Sequence, residues 1–273
     1  MALRVNTNVG ALQAQRALSL VSARVDTNLQ RLSSGLRINS AADDAAGLAV
    51  SEKLSSDIRG YNQDTRNAND GISLIQVGES ALGEISSSLS RLRELALQSS
   101  NGTLSNTDRL AIDSEFQALT SEIDRIAKTT DFSGTNPLNN TNSVAIQVGL
   151  NSGGNNVISL TGVNATKSSL GLSGLSVSTQ ANATGVLDNI STALTSVSSF
   201  RASFGAVQNR LQVSIRNLSV AIENSTAAAS RIRDVDVASE ASELAKNQII
   251  QQAAVASLAQ ANVSGQLALK LIG

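Results

Sequence analysis

Apolar residues recur every three or four positions over most of this chain. Ala11, Ala14, Leu18, Val21, Val25 and Leu32 share a 3-4 spacing, with Asn28 in the remaining slot and Leu12 and Leu29 widening the stripe. The spacing predicts a heptad-like amphipathic helix that ends near Ser33-Ser34-Gly35, where glycine suits the residue after a helix. A connector, Leu36-Arg37-Ile38-Asn39, follows. Ser40 with Asp43 then reads as an N-cap with an acidic residue in the first turn. The next stripe starts at Val50, Leu54 and Ile58. It continues through Ala68, Ile72, Ile75, Leu82, Ile85, Leu89, Leu92 and Ala96, interrupted by Glu79. A helix over 43–99 would be about 85 Å long at 1.5 Å per residue, so partners must cover its stripe along the whole length. Asn101-Gly102 marks a turn. Ser105 and Asp108 cap a further helix, in which Ile112, Phe116, Leu119, Ile123 and Ile126 repeat at 4-3-4-3 spacing. That helix should fold back on the long one.

The middle of the chain differs. Residues 131–178 carry two charges, Asp131 and Lys167, with many Gly and Asn and the sole proline, Pro137. Val144–Val148 and Val157–Leu160 read as short strands joined by a turn at Gly153-Gly154-Asn155-Asn156. They predict a small β-hairpin region and no second core. Helical spacing returns at Leu187 and runs through Ile190, Leu194, Val197, Phe204, Val207, Leu211, Leu218 and Ile222. Arg233-Asp234-Val235-Asp236 looks like a break. A last helix from about Ser239 has the stripe Ile249, Ala253, Ala256, Val263 and Leu267, with Ile250, Ala254, Leu258 and Ala261 beside it.

The two ends therefore mirror each other: an outermost amphipathic helix, a break, then a long heptad helix leading inward. The expected fold is mainly α, a long antiparallel helical coiled-coil rod with a small β-hairpin region and with the N- and C-terminal helices paired. The outermost helices are apolar on more than one face. Paired only with each other they would leave that surface uncovered, and further copies of the chain could cover it.

Composition narrows the chemistry. Among 273 residues there is no His, Cys or Trp, so there is no imidazole base or ligand, no thiol nucleophile and no disulfide. No cofactor is implied. Carboxylates remain, but residues 131–178 hold one, Asp131, and no acidic pair sits in an expected cleft. Gly153-Gly154 lacks the lysine of a phosphate loop, and Asp234-Val-Asp236 lacks the spacing of a calcium loop. A carboxylate-based enzyme is therefore the disfavoured reading. Aromatic residues are 2% of the chain, so Leu, Ile, Val and Ala must carry the burial, which suits long helices packed side by side. A net charge of −1 gives no electrostatic footprint for nucleic acid. The charge-free stretch Asn247–Leu269 contains seven Asn and Gln residues, too many for a bilayer span, so no membrane insertion is expected. The first residues lack the pattern of a cleaved signal peptide.

Several long segments resemble the bacterial flagellins. They include Leu32–Gly47 (LSSGLRINSAADDAAG), Thr65–Ser73, Arg91–Gln98 with Asn101-Gly102-Thr103, Gln208–Leu211, Ser230–Asp236, Gln248–Ala253 and Leu258–Asn262. The likeness covers about 1–130 and 185–273, and the motifs occur in the family's order. The large variable outer domains of many flagellins are missing, and the ending Val263–Gly273 is looser than the family's leucine-rich one. The resemblance implies a subunit that self-assembles into the hollow helical flagellar filament, with a hook–filament junction protein as the alternative. It implies export through the flagellar type III apparatus with an export chaperone, assembly beneath the filament cap onto the junction proteins, and an extracellular location. Residues 1–33 with 239–273 would form an inner tube, using Leu18, Val21, Val25, Leu32, Ile249, Ile250, Leu258, Val263 and Leu267. Residues 34–42 with 234–238 would be connectors. Residues 43–130 with 185–233 would form an outer helical layer, with 131–184 as its hairpin part. The family is also recognised by a Toll-like receptor of a host. The positions here that match its recognition residues are Arg91, Leu95 and Glu115; on a bare reading Arg91 and Glu115 are solvated helix charges.

Overall fold

The computed structural model describes the backbone of residues 7–270 and the side chains of residues 7–263. Among them are five α-helices: α1 (Val9–Ser34), α2 (Ala45–Ser100), α3 (Asn106–Thr129), α4 (Gln180–Arg233) and α5 (Val237–Lys270). One antiparallel hairpin joins β1 (Ser143–Gln147) to β2 (Val157–Thr161). The residues fall into two compact units. One holds the chain up to Ser56 and from Asn224 onward; the other is Asp57–Glu223.

Local chemistry sets the helix ends. The Asn8 side chain accepts a hydrogen bond from Ala11 N at 3.0 Å and starts α1. Gly35, at φ 70°, ends it, its N–H bonded to Arg31 O. At Ser105 a reciprocal capping box with Asp108 satisfies two backbone donors of α3. Asp236 Oδ1 accepts from Ala238 N and Ser239 N and starts α5, two residues before the position expected from the apolar pattern. The start of α2 also differs from expectation. It begins at Ala45, capped by Asp44, whose Oδ1 accepts from Gly47 N at 2.9 Å. Asp43 instead folds the connector, accepting from Asn39 N, Ser40 N and Ser40 Oγ. Those bonds, Ser40 N–H foremost, hold its carboxyl below the usual range. Ser40 and Asp43 thus form a turn that precedes the helix, the alternative use of the same short polar side chains. Helix α4 begins seven residues before Leu187. Thr179 Oγ1 accepts from Asn182 N, and Ala183 and Val186 are buried; an alanine carries too little apolar signal to extend the stripe on its own.

In the Asp57–Glu223 unit, α2 and α4 run antiparallel. Glu79 on α2 meets Arg201 on α4 at 3.6 Å. The backbone of α2 is approached closely at two glycines one heptad apart. A Cβ on Gly78 would lie 2.6 Å from Phe204, and one on Gly71 would lie 2.5 Å from Ile146 of β1 and 3.3 Å from Leu211. α3 returns along α2: the Arg109 guanidinium, buried, donates to Ser99 O and Asn101 O at 2.8 Å each and closes the turn between them. The core is aliphatic, with Leu82, Ile85, Leu89 and Leu92 of α2 and Ile190 and Val197 of α4 around Phe116 and Phe204.

The hairpin pairs Ser143 with Thr161 through Gln147 with Val157. Its inward residues Ile146, Ile158 and Leu160 join the helical core, as do Leu138, Val163, Leu170, Leu172 and Val177 of the irregular stretches beside it. The segment after β2 is tied along α3. Lys167 N donates to Asp124, Gln117 Nε2 to Leu175 O and Val177 N to Asp113. The middle of the chain therefore has one core in common with the helices. One buried group is poorly served: Asp64 of α2 is 5% exposed and its Oδ2 lacks a hydrogen-bond partner. Burial pushes its carboxyl up.

Two stability outcomes follow from this packing. Phe204→Ala should cost about 3–5 kcal/mol, the usual range for emptying a buried aromatic site, and denaturant titration of the monomer would show it. Asp64→Asn should raise the thermal midpoint at neutral pH. Because the folded-state pKa of Asp64 lies above its unfolded value, the charged form opposes folding once pH exceeds the unfolded pKa. The gain should therefore shrink as pH falls through the carboxylate range, and scanning calorimetry from acid to neutral pH would test the sign.

Candidate functional site

The unit that holds both ends of the chain is built on the antiparallel pair α1–α5. Asn8 Nδ2 donates to Ala261 O at 2.8 Å, and Gln251 Nε2 donates to Ser22 Oγ at 3.1 Å. Beyond the helices the two connectors clip together. Val235 N donates to Gly35 O at 3.0 Å, Arg37 N donates to Arg233 O at 2.6 Å, and the Arg37 guanidinium donates to Ile232 O. Each connector thus supplies backbone donors and acceptors to the other, which accounts for polar groups left over at the helix ends.

The inward face of α1 is Ala11, Ala14, Leu18, Val21, Val25, Asn28 and Leu32, the row read from the sequence; Val21, Val25 and Asn28 are buried and the others half-buried. The inward face of α5 is another row: Glu240, Leu244, Asn247, Gln251, Ala254, Leu258 and Ala261, at 4-3-4-3-4-3 spacing. The stripe expected from the sequence, Ile249, Ala253, Ala256 and Val263, points away from α1. Ile249 is 67% exposed and Val263 45%. Ile250 is exposed too, and Leu258 is half-buried on the seam. Leu267 lies outside the residues whose side chains are described. α5 is alanine-rich, with apolar residues spread round all its sides, so periodicity alone does not choose a face. The seam members outside the expected stripe are Leu244 and the polar residues Glu240, Asn247 and Gln251, whose 4-3 spacing is the only signal for them.

The outer surface of the pair consequently carries several exposed apolar side chains among its polar ones. Leu12, Leu20 and Leu29 on α1 and Ile249, Val255 and Val263 on α5 are all exposed. Single exposed apolar side chains are ordinary, but a row along both helices marks a surface for association.

In the other unit, Arg91 of α2 bridges two carboxylates. It lies 2.9 Å from Glu94 on its own helix and 2.9 Å from Glu115 on α3. Hydrogen bonds to Glu94 and then Glu115 push the guanidinium pKa up. Arg91 and Glu115 are each about half exposed, so the pair is a surface one, worth little to stability. Leu95, one turn on, is 1% exposed. It packs inward beneath the pair, so of the three expected recognition residues two form an exposed cluster and the third supports it from the core.

No cluster of three or more His, Cys, Asp or Glu side chains suited to a metal ion occurs among the described residues. No helix of the described residues is long and apolar enough to cross a membrane. An open groove of about 720 Å³ between α2 and the end of α3 is lined by Ser73, Ser80, Glu84, Arg125, Thr129 and Asp131. Its one cation, Arg125, is bonded at 2.6 Å to Glu122.

Comparison with known proteins agrees with this architecture. The profile of the bacterial flagellin N-terminal helical region matches residues 5–143, and that of the C-terminal helical region matches residues 187–272. A flagellin of Halalkalibacterium halodurans is 46% identical over 98% of this chain and 99% of its own length. A flagellar filament 30.7 kDa core protein of Treponema maltophilum is 42% identical over 98% of this chain and 99% of its own. The Bacillus subtilis flagellin is 42% identical over 99% of this chain and 100% of its own. Among solved structures, Bacillus cereus flagellin superposes with a TM-score of 0.51 at 34% identity, covering 56% of this chain and 88% of that one. A putative flagellar hook-associated protein of Vibrio parahaemolyticus shares the fold, with a TM-score of 0.59 at 16% identity, over 70% of this chain and 100% of its own. Identity above 40% over almost the whole chain sides with the filament proteins, not the hook-associated one. By its matched terminal regions, its helical architecture and these relatives, the chain belongs to the bacterial flagellin family, structural proteins that polymerise into the flagellar filament.

Proposed function

We propose that this flagellin assembles through its terminal helix pair and presents a second, separate surface at Arg91. The observation that supports the first part is the exposed apolar row on the outside of α1–α5, with Leu20 at 66% and Ile249 at 67% exposure. Burying such a row releases roughly 25 cal/mol per Å² of apolar surface, and in a homopolymer the covering partner is another copy. In this reading residues 1–33 and 239–273 line the inner tube, where Leu18, Val21, Val25, Leu32 and Leu258 hold each pair together. Ile249, Ile250 and Val263 meet neighbouring copies; Leu267, expected with them, lies outside the residues whose side chains are described. Residues 43–130 and 185–233, with 131–184, make the outer layer, and 34–42 and 234–238 connect the two.

The chain would leave the cell through the flagellar type III export apparatus, escorted by an export chaperone. It would then add beneath the cap to a filament that starts on the junction proteins, and act outside the cell. It is a structural element with no catalytic step assigned to it, a reading supported by the lack of His and Cys in the sequence. Recognition by a host Toll-like receptor would use Arg91 and Glu115 as its exposed polar contacts. Leu95 would set the height of α2 beneath them. The support for this is the exposed Arg91–Glu115 pair and the family motif around it.

Removing residues 239–273 should leave a chain that stays soluble and forms no filament under conditions in which the full chain does; long filaments in negative-stain micrographs of the truncated chain would overturn the inner-tube reading. Arg91→Ala should lower receptor signalling by the monomer about ten-fold, the scale of a central polar contact in an interface. A receptor reporter assay would check this, with circular dichroism confirming unchanged helicity.

A further inference from the structure

The seam between α1 and α5 carries a hydrogen-bonded polar cluster where coiled-coil seams are usually apolar. Asn28 of α1 and Asn247 of α5 are 8% and 6% exposed. The Asn28 amide uses both its ends: its Nδ2 donates to Glu240 Oε1, and its Oδ1 accepts from Asn247 Nδ2 at 2.9 Å. Glu240 is itself 3.9 Å from Arg31, with its side chain 12% exposed. One α1 residue thus sits between two α5 residues one heptad apart, and both ends of its amide have a partner of the opposite kind.

We propose that Asn28, Asn247 and Glu240 are the specificity-determining residues of the α1–α5 pair, fixing its register and making each N-terminal helix choose a C-terminal one. The apolar seam members cannot do this. Ala11, Ala14 and Leu18 face Ala261, Leu258 and Ala254, aliphatic groups that make no directional bond and so set no register. A slip of one heptad parts Asn28 from Glu240 or from Asn247, according to its direction, and leaves the abandoned group without that bond. Orphaning a buried polar group costs about 1–3 kcal/mol, and a single buried asparagine sets register in other coiled coils on this ground. The pattern also discriminates between partners. Asn28 needs an acceptor and a donor seven residues apart on the facing helix; α5 supplies them as Glu240 and Asn247. Seven residues from Asn28 on α1 itself lie Val21 and Gly35, so a second α1 cannot supply them.

The connector clip at Gly35–Val235 is the rival cause of register, and cross-linking separates the two. The chain has no cysteine, so Ser22→Cys with Gln251→Cys reports the native register, and Ser22→Cys with Leu244→Cys or Leu258→Cys reports a slip of one heptad either way. In filaments of the otherwise unaltered chain, the native pair should cross-link and the shifted pairs should not. Adding Asn28→Leu and Asn247→Leu should keep the helices paired but bring a shifted pair to a yield comparable with the native one. Cross-linking confined to the native pair in that background would overturn the proposal in favour of the clip. A second arm tests the bonding pattern. Asn28→Asp faces Glu240 with a second carboxylate and should lower native cross-linking about ten-fold or more. Adding Glu240→Gln restores a donor and should recover it. Should the leucine double variant fail to assemble, this arm decides alone: no recovery in N28D/E240Q relative to N28D would refute the assignment.

Discussion

The close approach of Phe204 and Leu211 to the bare backbone of α2 at Gly78 and Gly71 is the contact on which the Asp57–Glu223 unit depends. Helices of 56 and 54 residues have far more apolar edge than either can cover alone. In a chain with 2% aromatic residues, Phe204 is one of the largest groups of the shared core, and it lies against the bare backbone at Gly78. Glycine at these two positions lets α4 and the hairpin lie against the same stretch of α2, since Gly78 touches both Phe204 and Pro137 and Gly71 both Leu211 and Ile146. A side chain at either position would separate layers that interdigitate at native packing density. The antiparallel course of α2 and α4 and the seating of β1 follow from that contact.

The terminal pair obeys a different economy. α1 and α5 each present one heptad row to the other, and α1–α5 burial is modest, with Val21 and Val25 the buried apolar residues of α1. Apolar side chains are left on the outer face of both helices. In the proposed assembly, a surface that would be a defect in a monomer is covered by neighbouring copies. Polar residues within a mainly aliphatic seam and apolar ones outside it depart from the pattern of a lone helical hairpin.

Much of this was legible in the residues. The 4-3 rows of α1, α2, α3 and α4, the Ser105–Asp108 box, the glycine at 35 and the two short strands all reflect local rules, in which side-chain spacing and short polar caps decide the backbone. The inward face of α5 was not legible. Ile249 and Val263 are larger than the alanines that face α1, and on a helix with apolar residues on all its sides the larger ones draw the eye. The Ser40–Asp43 turn was misjudged as a cap because Asp43 and Asp44 are both competent to cap, and only the path of the connector selects Asp44. Arg91, Leu95 and Glu115 were found through motif resemblance; that Arg91 bonds Glu115 across two helices while Leu95 faces the core depends on how α3 returns along α2.

By itself the sequence determined the element types, their order, the mirrored ends and the exclusion of thiol and imidazole chemistry, because these depend on residue identity and spacing along one chain. Tertiary structure alone decided which face of α5 is buried, which glycines are contact points and that Asn28, Asn247 and Glu240 form one hydrogen-bonded group. Those outcomes require residues up to 253 positions apart to meet, and no local rule carries information across that distance; only packing the two ends against each other does.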